Sequence, residues 1–304
     1  MSFNYKNIIK SQSLRFFILR LFSFVPDKIM LKVQYWVKFG RRLNLQNPKR
    51  FTEHIQLYKI NYRNPLLGVC VDKYEVRNYV KEKGLERILN TLFFVVNNEK
   101  EIKEDMLPEK FVLKSTDGSG GENIIICKSK EVFNLNEAKL RIKRWKNKKN
   151  INAGREWAYT QIQKTRFICE EYLEDSVNGL VDYKFFCFGG NPKYLQINID
   201  RYSNHKELFY DIDGKRLDLC LSHQIYDGDF SLPSNFDEMI DIAKILSKDF
   251  PFVRVDLYNI SGRIVFGELT FYPSSGYSVF HPDEYDFKFG KEFDLISNQY
   301  ISVK

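Results

Sequence analysis

Two acidic side chains in a pair of alternating segments constrain the fold of this chain more than any other feature. Apolar and polar residues alternate from Val253 to Tyr258 and again from Val265 to Thr270, which is the period of a half-buried strand. A three-residue loop at positions 261–263 would join the two segments as a β-hairpin. That register pairs Ile260 with Ile264, Asp256 with Glu268, and Arg254 with Thr270. We therefore predict a hairpin that holds two carboxylates side by side on one face.

The predicted pair of Asp256 and Glu268 indicates a seat for one or two Mg²⁺ ions, with Thr270 beside them. Mg²⁺ prefers oxygen ligands and keeps water or phosphate oxygens in its remaining positions. Two carboxylates therefore suit a nucleotide-bound metal better than a closed structural site, and they favour an enzyme that uses ATP. A hairpin with ordinary solvated acids is the alternative that this pair alone leaves open.

Length and composition predict a globular chain that divides into two or three subdomains, since 304 residues with 43% hydrophobic content can bury a substantial core. The net charge is +8, but residues 1–50 hold eleven Lys or Arg against the single acid Asp27. That local balance of +10 leaves −2 for the remainder of the chain. Positive charge confined to a basic, helical N-terminal segment argues against nucleic acid as a partner.

The cysteines predict a reducing compartment, because they are odd in number, widely spaced and mostly set in apolar runs. They are Cys70, Cys127, Cys169, Cys187 and Cys220. We therefore expect small core residues in a cytoplasmic protein, with neither a disulfide framework nor a zinc cluster.

An apolar stretch from Leu14 to Val25 lies within the basic N-terminal segment and contains Arg15 and Arg20. It is too short to span a bilayer and lacks a small-residue cleavage site. Two interpretations stay open for this stretch: an amphipathic helix at a membrane interface, and a helix docked on the protein's own body or on a partner. The docked helix is favoured.

Short apolar segments separated by turns predict an α+β fold with mostly antiparallel sheets. Besides the hairpin, the expected strands are 92–96, 111–114, 123–128, 167–173, 183–188 and 193–199. The expected helices after the N-terminal segment include 72–83, 136–149 and 236–250. A polar, aromatic tail follows the hairpin.

A glycine-rich turn follows Lys114 at the end of an apolar strand, and a second strand follows the turn. The turn contains Asp117, Gly118, Ser119, Gly120 and Gly121. Its backbone N–H groups can close over phosphates, although its spacing matches neither a Walker loop nor a Rossmann fingerprint. A loose turn is the alternative, but a lysine there would lack a partner for its charge unless an anionic nucleotide supplied one.

An acidic extended segment and a polar strand follow in the chain. The backbone of Glu170, Glu171, Tyr172 and Leu173 could present the donor and acceptor that read an adenine edge, and Asp182 and Lys184 alternate with apolar neighbours. Each feature alone is also compatible with an ordinary exposed strand. Their joint order of lysine, glycine loop, acidic segment, Asp/Lys strand and acidic hairpin is much harder to explain by chance.

In this order the chain resembles the ATP-grasp superfamily, and most closely its teichuronopeptide-biosynthesis (TupA-like) type, which is associated with bacterial surface polysaccharides. The resemblance runs from about Phe51 to Gly290. The segments that carry it are Asn64–Leu67, Asp72–Arg77, Phe111–Lys114, Asp117–Gly121, Asp182–Phe186, Arg254–Tyr258 and Phe266–Pro273.

The resemblance implies an ATP-grasp fold, in which two α+β subdomains clasp ATP, and it assigns roles to the candidate residues. Lys73 and Lys114 would contact the phosphates and the adenine side, residues 117–121 would be the lid, Glu170 to Leu173 would hold adenine, and Asp182 would hold the ribose. Lys184 would lie near the γ phosphate, Arg254 would steady the transferred phosphoryl group, and Asp256 and Glu268 would bind Mg²⁺. Thr270 stands at the third metal position, where many members have Asn. The implied subdomains are 1–50, 51–106, 107–172 and 173–304.

The activity that the resemblance implies is ligation of a carboxylate to an amine through an acyl phosphate, with a uronic acid of a surface glycan or its precursor as the carboxylate. Residues 1–50 could then bring the enzyme to the inner face of the membrane or to a polysaccharide-assembly partner. Candidate substrate residues are Arg201, Tyr272, Ser274 and Ser275, with Tyr272 or Tyr277 offering a stacking face for a sugar. An ordinary loop arginine and packed tyrosines would explain the same residues. Two alternatives remain open at this point. One is a kinase that phosphorylates a glycan hydroxyl, and the other is a nucleotide-binding scaffold without turnover.

Overall fold

The computed structural model describes residues 19, 21–118, 121, 123–147, 152–174, 180–199, 206–221 and 224–296. The helices are α1 Asp27–Phe39, α2 Phe51–Asn61, α3 Leu66–Val71, α4 Val76–Glu82, α5 Leu135–Asn147, α6 Trp157–Thr160, α7 Phe236–Ser247 and α8 Glu284–Asp294. The strands are β1 Leu92–Val96, β2 Phe111–Ser115, β3 Ile124–Cys127, β4 Phe167–Glu171, β5 Asp182–Phe188, β6 Asn191–Ile199, β7 Lys206–Asp211, β8 Arg216–Leu217, β9 Gln224–Ile225, β10 Phe252–Ile260 and β11 Arg263–Thr270.

The strands form two sheets, and the prediction of an α+β fold with mostly antiparallel sheets is confirmed. The smaller sheet has the order β1-β4-β2-β3. The larger sheet has the order β11-β10-β5-β6-β7-β8, and β9 runs parallel to β7. The acidic hairpin is thus one edge of the larger sheet.

The larger sheet buries one face under α7, where Phe185 stacks on Phe236. On its opposite face an aromatic cluster covers one end: Phe186, Phe188 and Phe252 pack with Phe51 of α2 and with Phe289 and Phe293 of α8. Since side chains two residues apart on a strand share a face, Arg254 and Asp256 continue the same face beyond the cluster. The aromatic end of this sheet face packs against α2 and α8, and the polar end carries the candidate site residues.

The smaller sheet also has two unlike faces. Phe111, Leu113, Phe167 and Cys169 form a core with Ala138 and Ile142 of α5. Lys114 and Glu170 lie on the other face, where register pairs them with Ile168 and Val112. The predicted boundary between residues 106 and 107 assigns β1 to the connector, whereas β1 pairs with β4 of this sheet.

The tail after the hairpin contains a helix, α8, that the sequence analysis did not predict. Its Phe289 and Phe293 are fully buried in the aromatic cluster. Gly290, a poor helix former, permits close packing, because a Cβ at this position would lie 2.3 Å from the carbonyl oxygen of Lys49. Tertiary packing therefore stabilises a helix where local propensity does not favour one.

All five cysteines are free and four of them are buried, as expected for small core residues. Among the residues that the structure describes, no helix combines the length and the apolar character needed to cross a membrane.

Candidate active site

The hairpin register places the two predicted acids opposite each other, but the turn that joins the strands differs from the predicted one. The turn has two central residues, Ser261 and Gly262, with φ of 50° and 90°, and Ile260 pairs with Arg263. The predicted three-residue loop and the pairing of Ile260 with Ile264 are therefore wrong. A bulge at Gly267 inserts one residue into β11 and shifts the register back.

Beyond the bulge, Asp256 pairs with Glu268 and Arg254 pairs with Thr270, as predicted. Gly267 fits the bulge because it lacks a side chain: a Cβ there would lie 2.9 Å from the carbonyl oxygen of Asp256. The turn is one residue shorter than predicted, and the extra residue of the bulge compensates for it. The two carboxylates are therefore neighbours.

Asp256 is held by two cations at the centre of the site. Arg254 Nε donates to Oδ1 at 2.7 Å and Arg254 Nη2 donates to Oδ2 at 2.7 Å, while Lys184 Nζ donates to Oδ2 at 2.6 Å. Burial would raise the pKa of the Asp256 carboxyl, but the charges of Arg254 and Lys184 hold its pKa below the usual range. Asp256 is therefore an anion at neutral pH.

Lys184 bridges two strands of the site, since its Nζ lies 2.6 Å from Asp182 Oδ2 as well as 2.6 Å from Asp256 Oδ2. Both acids and the lysine are buried. The predicted ribose residue Asp182 is thus part of one ionic cluster with the predicted catalytic residue Lys184.

Glu268 and Thr270 form the more open side of the cluster. The Glu268 side chain is 47% exposed, and its Oε1 accepts a hydrogen bond from Thr270 Oγ at 3.0 Å. Arg254 Nη2 donates to Thr270 Oγ at 3.1 Å and lies 3.5 Å from Glu268 Oε1. The guanidinium therefore joins the three predicted metal ligands.

The donor set of this cluster fits Mg²⁺. Asp256, Glu268 and Thr270 supply oxygens only, as that hard cation requires. Within the described ranges, no group of three or more His, Cys, Asp or Glu side chains is arranged to hold a metal ion. Two carboxylates and a hydroxyl leave several coordination positions for water and phosphate, as a metal carried by a nucleotide needs.

Lys73 brings the glycine turn close to the acidic hairpin. Its Nζ donates to the carbonyl oxygen of Gly118. Burial lowers the pKa of Lys73, the carboxylate of Glu268 opposes that change, and the Lys114 ammonium adds to it. The structure therefore gathers both predicted phosphate lysines, the start of the glycine turn and the acidic hairpin in one region.

The start of the glycine turn is fixed by Asp117, which accepts hydrogen bonds from Ser115 Oγ and, at 2.8 Å, from Thr165 Oγ. Gly121 has a φ of 80°, which favours glycine. Ser119 and Gly120 lie outside the described residues.

Lys114 has a protein partner, contrary to the argument that only a nucleotide would balance its charge. Its Nζ donates to Glu170 Oε2 at 2.8 Å, and Arg77 Nη1 lies 3.2 Å from Glu170 Oε1. Glu170 on β4 thus organises two cations on the face of the smaller sheet opposite its core. We expected a nucleotide because the Lys114 charge had no visible partner in the sequence nearby. The carboxylate of Glu170 on the adjacent strand is that partner.

The other predicted adenine residues lie at the end of β4. Glu171 is the last residue of the strand, and its Oε2 lies 3.1 Å from Arg263 Nη2 in the hairpin turn. Tyr172 and Leu173 follow as half-buried residues outside the strand, which ends two residues earlier than predicted. The Glu171 to Arg263 ion pair links the smaller sheet to the hairpin.

The predicted substrate residues have different environments. Tyr272 is only 4% exposed and packs on Tyr58, which fits the packed tyrosine that the sequence left open better than a stacking face for a sugar. Ser275 is engaged by a buried lysine, and Ser274 is exposed with a φ of 47°. Arg201 lies outside the described residues.

Lys59 of α2 is the lysine that holds Ser275, and the sequence analysis missed it. Its Nζ donates at 2.7 Å to Gly154 O, at 2.8 Å to Ser275 O, at 3.0 Å to Ser275 Oγ and at 3.1 Å to Gln56 Oε1. Burial lowers its pKa to about 8. No sequence signal marks it, because α2 is buried around nearly its whole circumference from Phe51 to Lys59.

Tyr159 of α6 is a second residue that the sequence analysis missed. Burial raises the pKa of its phenol well above the usual value, and the charges of Glu156 and Glu268 add to the rise while Arg254 opposes it. The ring therefore lies within electrostatic range of the acidic hairpin. Its segment has no motif that would have identified it.

Comparisons with known proteins agree with this architecture. A family profile described as TupA-like ATPgrasp matches residues 53–294. No curated protein matches the chain. The prediction that the chain is an ATP-grasp enzyme is confirmed by the family match.

Solved structures that align with this chain include D-alanine–D-alanine ligase from Bacillus anthracis, with 16% identity and a TM-score of 0.49 over 84% of this chain and 77% of that one. D-cycloserine synthetase DcsG has 14% identity and a TM-score of 0.44 over 76% and 72% of the two chains. L-amino acid ligase from Bacillus licheniformis has 10% identity and a TM-score of 0.43 over 77% and 48%. Because the family profile covers most of its length, the chain belongs to the TupA-like ATP-grasp family.

Proposed function

We propose that this enzyme is an ATP-dependent carboxylate–amine ligase that forms an amide through an acyl phosphate. Its acceptor is a uronic acid of a bacterial surface polysaccharide or of its precursor, and its nucleophile is an amino acid or another amine. The observation that carries the proposed chemistry is the pairing of Asp256 with Glu268 on the face that also presents Arg254 and Lys184. The uronic acid follows from the family resemblance.

Phosphoryl transfer depends on positioning and on neutralising charge, and the cluster offers both. Bound Mg²⁺, held by Asp256, Glu268 and Thr270, would neutralise charge on the β and γ phosphates. Arg254 reaches beyond Asp256 toward Glu268 and Thr270, so it is placed to bind the transferred phosphoryl group. Lys184 stays fixed between Asp182 and Asp256 and keeps the anionic cluster oriented.

The reaction then proceeds in two displacements. A carboxylate oxygen of the acceptor attacks the γ-phosphorus, the bond to the β-phosphate oxygen breaks, and ADP leaves. The neutral amine next attacks the acyl carbon, the carbon–oxygen bond breaks, and phosphate leaves as the nitrogen loses a proton. Lys73, whose Nζ contacts the carbonyl of Gly118, is placed to contact both a nucleotide phosphate and the start of the glycine turn. We assign residues 117–121 to a lid that excludes water from the acyl phosphate.

We also assign a role to each subdomain. Residues 107–172, with β1, supply the lid and the adenine residues Glu170 to Leu173, and residues 173–304 supply the metal hairpin. The rest of residues 51–106 connects them. Ser274 is the exposed residue of the loop after Thr270 and is our candidate contact for the acceptor.

Hydroxylamine trapping tests the proposed reaction. Uronates are incubated with MgATP and hydroxylamine, and hydroxamate and ADP are measured. The ligase predicts both products in equal amounts, with the phosphate released rather than retained on the sugar. A phosphorylated glycan without hydroxamate would instead identify a kinase. Tight MgATP binding without turnover across many uronates and amines would identify a scaffold.

A further inference from the structure

Helix α1 carries an exposed apolar stripe. Ile29, Val33 and Trp36 are spaced by four and three residues, which places them on one side of the helix. Their exposed fractions are 55%, 52% and 60%. We call these three residues the α1 outer face. Phe24, which precedes the helix, is 80% exposed and extends the apolar surface toward the N-terminus.

The opposite side of α1 is fixed to the body of the enzyme. Leu31 and Tyr35 are fully buried. Gln34 Nε2 donates to the carbonyl oxygen of Ala153 at 2.9 Å, and Gln34 Oε1 accepts from Tyr277 Oη at 2.8 Å. These contacts fix α1 on the enzyme, so that the α1 outer face points to solvent.

Basic residues flank this apolar surface. Lys28 and Lys32 are exposed on the same helix, and Arg42 is exposed just after it. Residues 1–50 contain eleven Lys or Arg against one acid. A second copy of the chain would bring the same basic charge to this face, and the two copies would repel. An anionic surface complements both the charge and the apolar stripe.

We propose that the α1 outer face docks on an anionic phospholipid surface, with Ile29, Val33 and Trp36 inserted at the interface and Lys28 and Lys32 paired with headgroup phosphates. Amphipathic helices with basic flanks and a tryptophan bind lipid interfaces in this way. The stripe is short, so the binding is peripheral and reversible.

Docking also has a consequence for the acceptor, which rests on the proposed function. Through Gln34, α1 contacts Tyr277 in the loop that contains Ser274, our candidate acceptor contact. A membrane bound to the outer face would hold that loop within one helix diameter, about 10 Å, of the headgroups. The acceptor class that fits this arrangement is a lipid-linked saccharide with a carboxylate.

Co-sedimentation of the full-length enzyme with vesicles tests the docking. Vesicles of phosphatidylglycerol with phosphatidylcholine are compared with phosphatidylcholine alone. We expect binding to the anionic vesicles only, weakened by salt. The triple variant Ile29→Ser, Val33→Ser, Trp36→Ser should reduce binding at least about tenfold. Lys28→Gln with Lys32→Gln should reduce it by a similar factor.

The matched control is Val132→Ser with Leu140→Ser, which changes two exposed apolar residues far from α1 in sequence and should leave vesicle binding unchanged. Binding of MgADP, measured by calorimetry on every variant, separates docking from the proposed ligase site. Equal binding to neutral vesicles, or unchanged binding by the triple variant, would overturn the proposal. The absence of vesicle binding would also overturn it. If light scattering then showed a dimer that the triple variant abolishes, the α1 outer face would be a contact between two copies of the chain.

Discussion

Arg254 and Asp256 are joined by two hydrogen bonds of 2.7 Å each, from Nε to Oδ1 and from Nη2 to Oδ2. They are two residues apart on β10 and therefore share one face of the sheet. The same guanidinium lies 3.5 Å from Glu268 Oε1 and donates to Thr270 Oγ at 3.1 Å. The Arg254 guanidinium thus contacts all three residues that we assign as magnesium ligands. The arginine and the metal must therefore share Asp256.

Neutralising either acid should lower turnover sharply, but only one change should destabilise the fold. Asp256→Asn and Glu268→Gln should each lower ADP release by roughly a hundredfold or more, because charge neutralisation is lost. Asp256 is 2% exposed and paired with two cations, so Asp256→Asn should also lower the free energy of unfolding by roughly 3 kcal/mol. Glu268→Gln should leave it nearly unchanged. Steady-state kinetics and urea denaturation measure the two effects, and near-normal activity of both variants would refute the metal assignment.

The bulge at Gly267 should be essential for the alignment of the acids. In Gly267→Ala, the added Cβ would lie 2.9 Å from the backbone oxygen of Asp256, and backbone must move to relieve the contact. We expect about a hundredfold loss of turnover, since small displacements of reacting groups have effects of that size. Gly262→Asn is the control: its φ of 90° suits asparagine and nothing lies within 4 Å of an added Cβ. Equal activities of the two variants would contradict the role of the bulge.

Lys59 should make stability depend on pH in the alkaline range. Its pKa is lowered from 10.5 to about 8 by burial, so the unfolded chain binds its proton more tightly than the folded chain does. Compared with Lys59→Met, the wild-type free energy of unfolding should therefore rise by about 3 kcal/mol between pH 8 and pH 10.5.

Urea denaturation at several pH values measures that difference. Lys244→Met removes an exposed lysine of α7 and serves as the control, whose stability should run parallel to the wild type. A parallel profile for Lys59→Met as well would show that Lys59 keeps an ordinary pKa.

Thr270 should set the magnesium requirement. Its hydroxyl donates to Glu268 and accepts from Arg254, so it is a weaker metal ligand than an amide oxygen. Thr270→Asn should lower the Mg²⁺ concentration for half-maximal ADP release by at least about threefold. Thr270→Val, which keeps the shape and removes the oxygen, should raise it. The same Mg²⁺ dependence in both variants would place position 270 outside the metal site.

Local patterns predicted the strands and the central pair well. Alternation around Asp256 and Glu268 is a property of neighbouring residues, so it is visible without tertiary structure. The pairing was nevertheless reached through a wrong loop: the turn is one residue shorter than predicted, and the bulge at Gly267 restores the register. A glycine inside a strand was the available signal for that bulge.

Features that depend on distant packing could not be predicted in this way. Lys59 lies in a helix buried on all sides, where hydrophobic periodicity carries no information. Helix α8 contains Gly290 and forms because Phe289 and Phe293 pack on α2. The partner of Lys114 is Glu170, which is 56 residues away in the sequence.

Calorimetry of ADP binding with and without Mg²⁺, on the wild type and on the double variant Asp256→Asn, Glu268→Gln, tests whether these carboxylates hold the nucleotide's metal. We expect Mg²⁺ to tighten ADP binding to the wild type at least about tenfold, because the two carboxylates hold the metal on the nucleotide. The double variant should bind ADP equally with Mg²⁺ and with a chelator. If Mg²⁺ tightens ADP binding to the double variant as much as to the wild type, Asp256 and Glu268 do not hold the nucleotide's metal.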